Sequence, residues 1–205
     1  MLCDIIINRE IDMNLYDFDK TIYKYESSSK YYFFVLRRHP WLFWHLFCVA
    51  FWGALSLVKI VKLETFKEHF FSINKHVKDV DGEIKLFWDK QQKNIFSFYY
   101  QNLKPNDVIC SASPEFLVKE IMSRINPKAV VICSDIDKYT GKFKQGKYNC
   151  KAWKKVHYLE EQGFDAFDDG YSDNIVDRPM LCMCKHAYKV KDGKVSVFEG
   201  VWTSQ

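Results

Sequence analysis

Short apolar runs alternate with amphipathic stretches along the second half of the chain, from about residue 104 onward. The run VIC at 108–110 follows a Pro-Asn-Asp turn, and the Ser-Pro-Glu at 113–115 is typical of a helix start. The runs at 129–133 and 164–173 predict two further strands, with a helix over 151–162 between them. Strands that alternate with helices predict an α/β fold, in which a parallel sheet has helices on both faces.

Two more β elements frame this unit. Residues 13–21 predict a short first strand that ends in a turn with two acids and a hydroxyl, and the Asp192-Gly193 pair predicts a two-residue hairpin. Ligands of parallel α/β sheets bind beyond the carboxyl ends of the strands. Acids and hydroxyls follow the first strand, the second strand and a later one, so we expect the functional site at that edge of the sheet.

The region between the first two strands shows no β-type alternation and predicts several helices instead. The predicted helices span residues 27–38, 40–61, 64–74 and 81–102. We therefore expect an α/β core of residues 1–26 and 104–205, with a helical insert of residues 27–103.

Composition narrows the class of protein. With 205 residues, 48% hydrophobic and 17% aromatic content, the chain is long and apolar enough to bury a core. A net charge of +4 is too weak to indicate nucleic-acid binding. The seven cysteines are scattered, which favours reduced thiols, and no second Cys/His pair accompanies Cys182 and Cys184 at zinc-site spacing. The first twelve residues contain acids and no basic region, so we expect no signal peptide and a cytoplasmic chain.

Asp17 and Asp19 are separated by one residue, so in an extended segment both carboxylates point to the same side of the chain. Two carboxylates this close repel each other unless a cation joins them or one holds a proton. One could then act as a nucleophile and the other as an acid/base, with a divalent metal fixing the geometry. Oxygen ligands favour magnesium. On spacing alone, a capped loop or an acidic strand edge remains an alternative.

The later motifs change this interpretation. The sequence DFDKT at 17–21 resembles the D-x-D-x-T motif that follows the first strand in the haloacid dehalogenase (HAD) superfamily. In that superfamily a Ser or Thr ends the second strand, and two acids four residues apart follow a later strand. Ser111, Asp173 and Asp177 match those positions. The resemblance covers nearly the whole chain and implies a HAD-type Rossmann-like sheet with an all-helical cap between the first and second motifs.

The resemblance also implies a role for each motif residue. Asp17 would attack the phosphoryl group and carry an aspartyl-phosphate, while Asp19 would protonate the leaving alcohol and then activate water. The remaining implied roles are magnesium binding by Asp17, Asp173 and the backbone carbonyl of Asp19, phosphate binding by Thr21 and Ser111, and orientation of water or of a lysine by Asp177.

Two positions stay open. The motif lysine opens a helix in the superfamily, and the spacing C-x-x-x-x-K-V favours Lys155, with Ala152 where glycine is usual. The phosphoserine phosphatase pattern favours Lys151 instead, and the two lysines would share a face if the helix has begun at residue 151. Ser113 could contact the substrate, but an N-cap of the following helix explains it equally well.

The insert at 27–103 resembles the substrate-selecting cap of the superfamily. The chain is most similar to subfamily IB, which includes phosphoserine phosphatases, and within it to the phosphatidylglycerophosphatase C enzymes, which act on a phospholipid head group. The resemblance implies a Mg²⁺-dependent phosphatase with a lipid substrate or, as the alternative, a soluble metabolite such as phosphoserine. A binding protein with an inactive phosphatase fold is disfavoured because Asp17 and Asp19 are both present.

Residues 41–58 form the most apolar stretch, which is just long enough to cross a hydrocarbon core of roughly 30 Å. A single crossing would separate Asp17 from Ser111 and Asp173, and residues 63–102 carry too many charges for a returning span. We therefore expect a cap helix in the membrane interface, then a shallow re-entrant element, then a buried helix, in that order of preference.

Overall fold

A six-stranded sheet forms the centre of the computed structural model, which describes residues 13–200. The strand order is β3-β2-β1-β4-β5-β6, and every neighbouring pair is parallel except β5 and β6. The predicted α/β fold with a parallel sheet is therefore confirmed. The expectations for the first twelve residues lie outside the described residues. The strands are β1 (Leu15–Tyr16), β2 (Val108–Pro114), β3 (Val130–Ser134), β4 (Phe167–Ser172), β5 (Cys184–Lys191) and β6 (Lys194–Val197).

Helices cover both faces of this sheet. Neighbouring residues of a strand point to opposite faces, so Leu15 and Tyr16 of β1 pack against different helices. Tyr16 belongs to a buried cluster that includes the helix α6 (Glu115–Ile125) and most of the insert. Leu15 belongs to a second buried cluster with α7 (Trp153–Glu161) and α8 (Arg178–Leu181). The second half of the chain therefore folds as the alternation of strands and helices predicts.

The insert between β1 and β2 contains five α-helices, and two of the four predicted helices are interrupted. The stretch at 40–61 begins with a 3₁₀ turn, and the α-helix ends before Lys59, whose φ is 59°. The stretch at 81–102 breaks at residues 92–96, where the N–H of Phe96 donates to Ile22 O and the carbonyl of Asn94 accepts from Lys24 N. Contact with the core therefore competes with helical hydrogen bonding there. The helices are α1 (Ser27–Arg38), α2 (His45–Leu57), α3 (Leu63–Phe71), α4 (Val80–Gln91) and α5 (Ser97–Asn102).

Two local predictions in the core are corrected by the structure. Strand β2 runs on to Pro114 and α6 begins at Glu115, so Ser113 lies in the strand and does not cap the helix. Helix α7 begins at Trp153 and not at residue 151. The predicted hairpin is present, with positive φ at Asp192 and at Gly193.

Helix α2 lies on the surface with its apolar side chains uncovered. Residues Pro40–Leu57 are long and apolar enough to cross a membrane, yet only 11% of this segment is buried within the described chain. Phe47 is 80% exposed and Leu57 is 86% exposed. The expectation of a buried cap helix, the last of the three considered, is therefore wrong.

Candidate active site

Asp17 and Lys155 meet at the carboxyl edge of the sheet. Asp17 follows β1 directly, and the Lys155 ammonium in the first turn of α7 donates to Asp17 Oδ1 at 2.6 Å. The same ammonium donates to Asp177 Oδ2 at 2.8 Å, and Asp177 also accepts from the Ser172 hydroxyl at 2.8 Å. The side chains of Asp17, Lys155, Asp177 and Ser172 are all buried. One cation is thus shared between two carboxylates, one from each of two motifs that are distant in sequence.

An unusual backbone conformation precedes Lys155. Ala152 has φ 55° and ψ −132°, a conformation that side chains with a Cβ rarely adopt. This turn separates Lys151, which precedes α7, from Lys155 inside it. Lys151 is exposed and lines the cavity, whereas Lys155 contacts Asp17. The premise that both lysines share one helical face therefore does not hold.

The electrostatics of this cluster follow from burial. Burial raises the pKa of Asp17 to about 7, against the attraction of Lys155 and with the repulsion of Asp177. Burial alone would lower the pKa of Lys155, but Asp17 and Asp177 together raise it, so the charged form of the lysine is favoured. Burial also raises the pKa of Asp173, against the attraction of Lys20. Five acidic side chains and four lysines line the cavity, so carboxylates outnumber cations there.

Asp19 is held from two sides. The Ser113 hydroxyl donates to Asp19 Oδ2 at 2.6 Å, and the Ser27 backbone N–H donates to Oδ1 at 3.0 Å. The two serine hydroxyls also lie 2.9 Å apart. Burial raises the pKa of Asp19 to about 6, although these hydrogen bonds lower it. Asp19 is therefore tied both to the start of the insert and to the end of β2.

The remaining predicted residues divide into two groups. Ser111 and Asp173 line the same cavity as Asp17, because β1 lies between β2 and β4 and all three strands are parallel. Thr21 is fully buried outside the cavity lining, and its hydroxyl accepts from the backbone N–H of Asp173 at 3.0 Å. Direct phosphate contact by Thr21 does not agree with this geometry, since its side chain holds the Asp173 loop instead.

A cavity of about 400 Å³ opens between the sheet edge and the insert. On the core side it is lined by Asp17, Ser111 and Asp173, and on the insert side by α1 and α3. The part lined by α3 is largely aromatic, with Phe66 and Phe70. The cavity therefore has a charged end and an apolar wall.

Lys67 on α3 is a cavity residue that the sequence motifs do not identify. Its ammonium donates to Ala112 O and to Asn149 Oδ1, both at 2.6 Å. Burial lowers its pKa to about 8. No spacing rule connects this lysine to the motif residues, so only its position in the folded insert indicates it.

The oxygen donors fit a divalent cation. Within residues 13–200, no three His, Cys, Asp or Glu side chains converge as a metal-binding group. The Asp19 carboxylate accepts hydrogen bonds from Ser27 and Ser113, so its backbone carbonyl, together with the carboxylates of Asp17 and Asp173, would be the oxygen donors. Both of those carboxylates line the cavity, and burial raises the pKa of each by disfavouring the ionised form, a cost that a bound divalent cation would offset. Such oxygen donors are those that Mg²⁺ prefers.

Comparisons with known proteins agree with this architecture. The family model for haloacid dehalogenase-like hydrolases matches residues 15–181. No curated protein sequence matches the chain significantly.

Solved structures have the same fold at low sequence identity. A protein of unknown function from Bordetella pertussis Tohama I superposes with a TM-score of 0.63 at 14% identity, covering 82% of this chain and 84% of that one. A substrate-bound phosphoserine phosphatase has a TM-score of 0.53 at 14% identity, with 88% and 86% covered. A cytosolic 5′-nucleotidase IIIB bound to cytidine has a TM-score of 0.51 at 16% identity, with 86% and 71% covered. At these identities the likeness shows the fold alone.

Proposed function

Because this chain belongs to the haloacid dehalogenase-like hydrolase family, we propose that it is a magnesium-dependent phosphatase that hydrolyses a phosphomonoester through an aspartyl-phosphate on Asp17. We further propose that its substrate is a phospholipid head group such as phosphatidylglycerophosphate. The observation that carries the chemistry is the buried contact of Asp17 with Lys155 at the charged end of the cavity.

In this proposal Asp17 is the nucleophile. Its carboxylate attacks phosphorus while Asp19 gives a proton to the leaving alcohol, and Asp19 then takes a proton from the water that cleaves the aspartyl-phosphate. The raised pKa of Asp19, about 6, suits a group that both gives and takes a proton near neutral pH. Lys155 favours the ionised form of the Asp17 carboxylate against the effect of burial, and it fixes the direction of the carboxylate, since its ammonium contacts Oδ1 at 2.6 Å.

Ser111 and magnesium complete the proposed phosphoryl site. Ser111 lines the cavity where the regular pairing of β2 with β3 ends, and its hydroxyl can donate to a phosphoryl oxygen there. Magnesium would be held by Asp17, Asp173 and the backbone carbonyl of Asp19. When bound, it neutralises the negative charge that phosphoryl transfer spreads over the phosphoryl oxygens.

Two features support a lipid substrate. Helix α2 exposes a continuous apolar surface, with Arg37 and Arg38 before it and Lys59 and Lys62 after it. An apolar helix bordered by cations suits the interface of an anionic membrane, where the side chains enter the acyl boundary and the cations meet lipid phosphates. The aromatic cavity wall of α3 packs beside α2, so an apolar part of a substrate would pass from the membrane to the site along this side. We therefore propose a peripheral enzyme of a membrane surface.

A phosphate-release screen tests both parts of the proposal. Phosphatidylglycerophosphate in mixed micelles is compared with a panel of soluble phosphomonoesters that includes phosphoserine, with Mg²⁺ present. We expect the lipid to have the highest kcat/KM, and we expect Asp17→Asn to remove activity on every substrate because the amide cannot form the phospho-intermediate. Circular dichroism checks that this variant is folded.

The outcomes separate the two claims. Turnover by Asp17→Asn equal to that of the parent protein would overturn the nucleophile assignment. A higher kcat/KM for phosphoserine than for the lipid would leave the chemistry intact and replace the lipid proposal with the metabolite one.

A further inference from the structure

We propose that Lys67 of the cap binds the phosphoryl group of the substrate, so that the cap supplies a cation to the phosphate site. This inference rests on the proposed function and deepens it, because it assigns a substrate contact to a residue outside the four motifs. Helix α3 would then have two roles: it forms the apolar wall of the cavity, and it contributes to phosphate recognition.

The position of Lys67 is the first observation. Its ammonium lies 2.6 Å from the carbonyl of Ala112, the residue that follows Ser111. Ser111 lies within β2 and supplies the hydroxyl that, in the proposed function, donates to a phosphoryl oxygen. Lys67, Ser111 and Asp17 line one cavity. A phosphoryl group bound near Ser111 would therefore lie within reach of the Lys67 side chain.

The hydrogen bonding of Lys67 is the second observation. A lysine ammonium has three N–H donors, and Ala112 O and Asn149 Oδ1 account for two. Both acceptors are neutral, and they fix the ammonium in place through the core. The third donor is available to a ligand in the cavity.

The charge balance around Lys67 is the third observation. Among residues 13–200, no carboxylate forms an ion pair with its ammonium within 4.0 Å, whereas its neighbour on α3, Glu64, pairs with Lys154 at 2.9 Å. Burial of a cation without a counter-ion is unfavourable. Asp19 and Glu64 attract the Lys67 ammonium without contacting it, so an anionic ligand would supply the direct counter-charge that no carboxylate provides.

Lys155 does not offer an uncompensated charge to a phosphoryl group. Its ammonium is already held by Asp17 and Asp177 at 2.6 and 2.8 Å, so its charge is compensated within the protein. Lys67 differs from it, because its ammonium donates only to neutral acceptors, and the carboxylates of Asp19 and Glu64 act on it from beyond ion-pair distance.

The anchoring of α3 explains why the contact is precise. Glu64 and Glu68, on the same helix, accept from the backbone N–H groups of Asn149 and Phe143 in the core. Residues at i, i+3 and i+4 of a helix lie on one face, so Glu64, Lys67 and Glu68 form a polar face of α3 directed at the core. Ligand binding by Lys67 would add to these cap-to-core contacts.

The test uses two substitutions at this position and one matched control. Lys67→Met keeps the length of the side chain without its charge, and Lys67→Arg restores a cation. Lys78→Met removes an exposed cap lysine elsewhere. Each full-length protein is titrated with inorganic phosphate in the presence of Mg²⁺ by calorimetry, and kcat and KM are measured on the best substrate of the release screen.

We expect Lys67→Met to weaken phosphate binding and raise KM by about tenfold or more, the range for loss of a hydrogen bond to a charged group. We expect Lys67→Arg to recover most of the affinity and Lys78→Met to match the parent protein. Recovery by arginine, which restores the positive charge but not the shape of the lysine side chain, would distinguish anion binding from a merely structural role of Lys67.

The outcomes distinguish this inference from the proposed function. If the parent protein binds phosphate and Lys67→Met binds it equally well, the role of Lys67 is wrong and the phosphatase proposal stands. If Lys67→Arg is as weak as Lys67→Met, Lys67 is a structural residue. If the parent protein neither binds phosphate nor releases it from any substrate, both proposals fail together.

Discussion

Ala152 shows how one backbone conformation positions the residue on which the site depends. Its φ of 55° and ψ of −132° turn the chain just before α7, and the turn brings Lys155 to Asp17 three residues later. Glycine adopts this conformation without the steric cost that a Cβ incurs. The resemblance to a family with glycine at this position therefore has a physical reason in this chain.

We predict that Ala152→Gly raises the free energy of unfolding by about 1 kcal/mol, because it relieves a strained conformation. Urea denaturation measures the change. Ala54→Gly, in the exposed interior of α2, is the matched control and should lower the free energy of unfolding by about 1 kcal/mol, since glycine is a poor helix former. A decrease of the same size for both variants would show that Ala152 is not strained.

At the scale of elements, α2 and α3 pack against each other and present different surfaces. Trp52 of α2 stacks on His69 of α3 with ring centroids 3.8 Å apart. The side chain of His45, at the start of α2, forms hydrogen bonds with the hydroxyls of Tyr32 and Ser72. Helix α3 turns its polar face to the core, while α2 turns its apolar side chains outward. The pair therefore links the proposed membrane surface to the cavity.

We predict that Phe47→Glu combined with Leu57→Glu reduces binding to anionic vesicles by more than tenfold, because both side chains are largely exposed and their burial in lipid would be lost. Co-sedimentation with vesicles of phosphatidylglycerol and phosphatidylcholine measures the binding. Val197→Glu is the control, since Val197 is 74% exposed on β6, away from α2. Equal sedimentation of all three proteins with and without vesicles would contradict the membrane contact.

At the scale of the whole molecule, the sheet edge and the cap enclose one site. Carboxylates from β1 and from the loop after β4 meet there, and Lys155 neutralises only part of their charge. The fold therefore concentrates negative charge that a bound cation would relieve, which couples metal binding to stability.

We predict that millimolar Mg²⁺ raises the melting temperature of the intact protein, because a ligand that binds only the folded state stabilises it by mass action. Asp173→Asn should reduce this shift. Asp169→Asn should retain it, because Asp169 is paired with His186 in the middle of the sheet. A melting temperature that does not respond to Mg²⁺ in the intact protein would argue against the magnesium site.

The α/β fold, the succession of strands and helices in the second half of the chain, and the motif residues that follow the strands were all predictable from the sequence. Those features depend on local patterns: apolar runs, turn residues and short motifs such as DFDKT at 17–21. They were predictable because a parallel sheet collects the ends of its strands at one edge, so Asp17, Ser111 and Asp173 had to approach each other.

The other features of the site depend on how distant parts of the chain pack together. The tertiary structure placed Lys155 and not Lys151 against Asp17, directed the Ser113 hydroxyl to Asp19 instead of a helix end, and brought Lys67 into the cavity. It also left α2 uncovered, which hydropathy could not distinguish from a buried helix. The physical reason is the same in each case: the partner of each group comes from a distant part of the chain, and local sequence carries no information about contacts that depend on how the insert packs on the sheet.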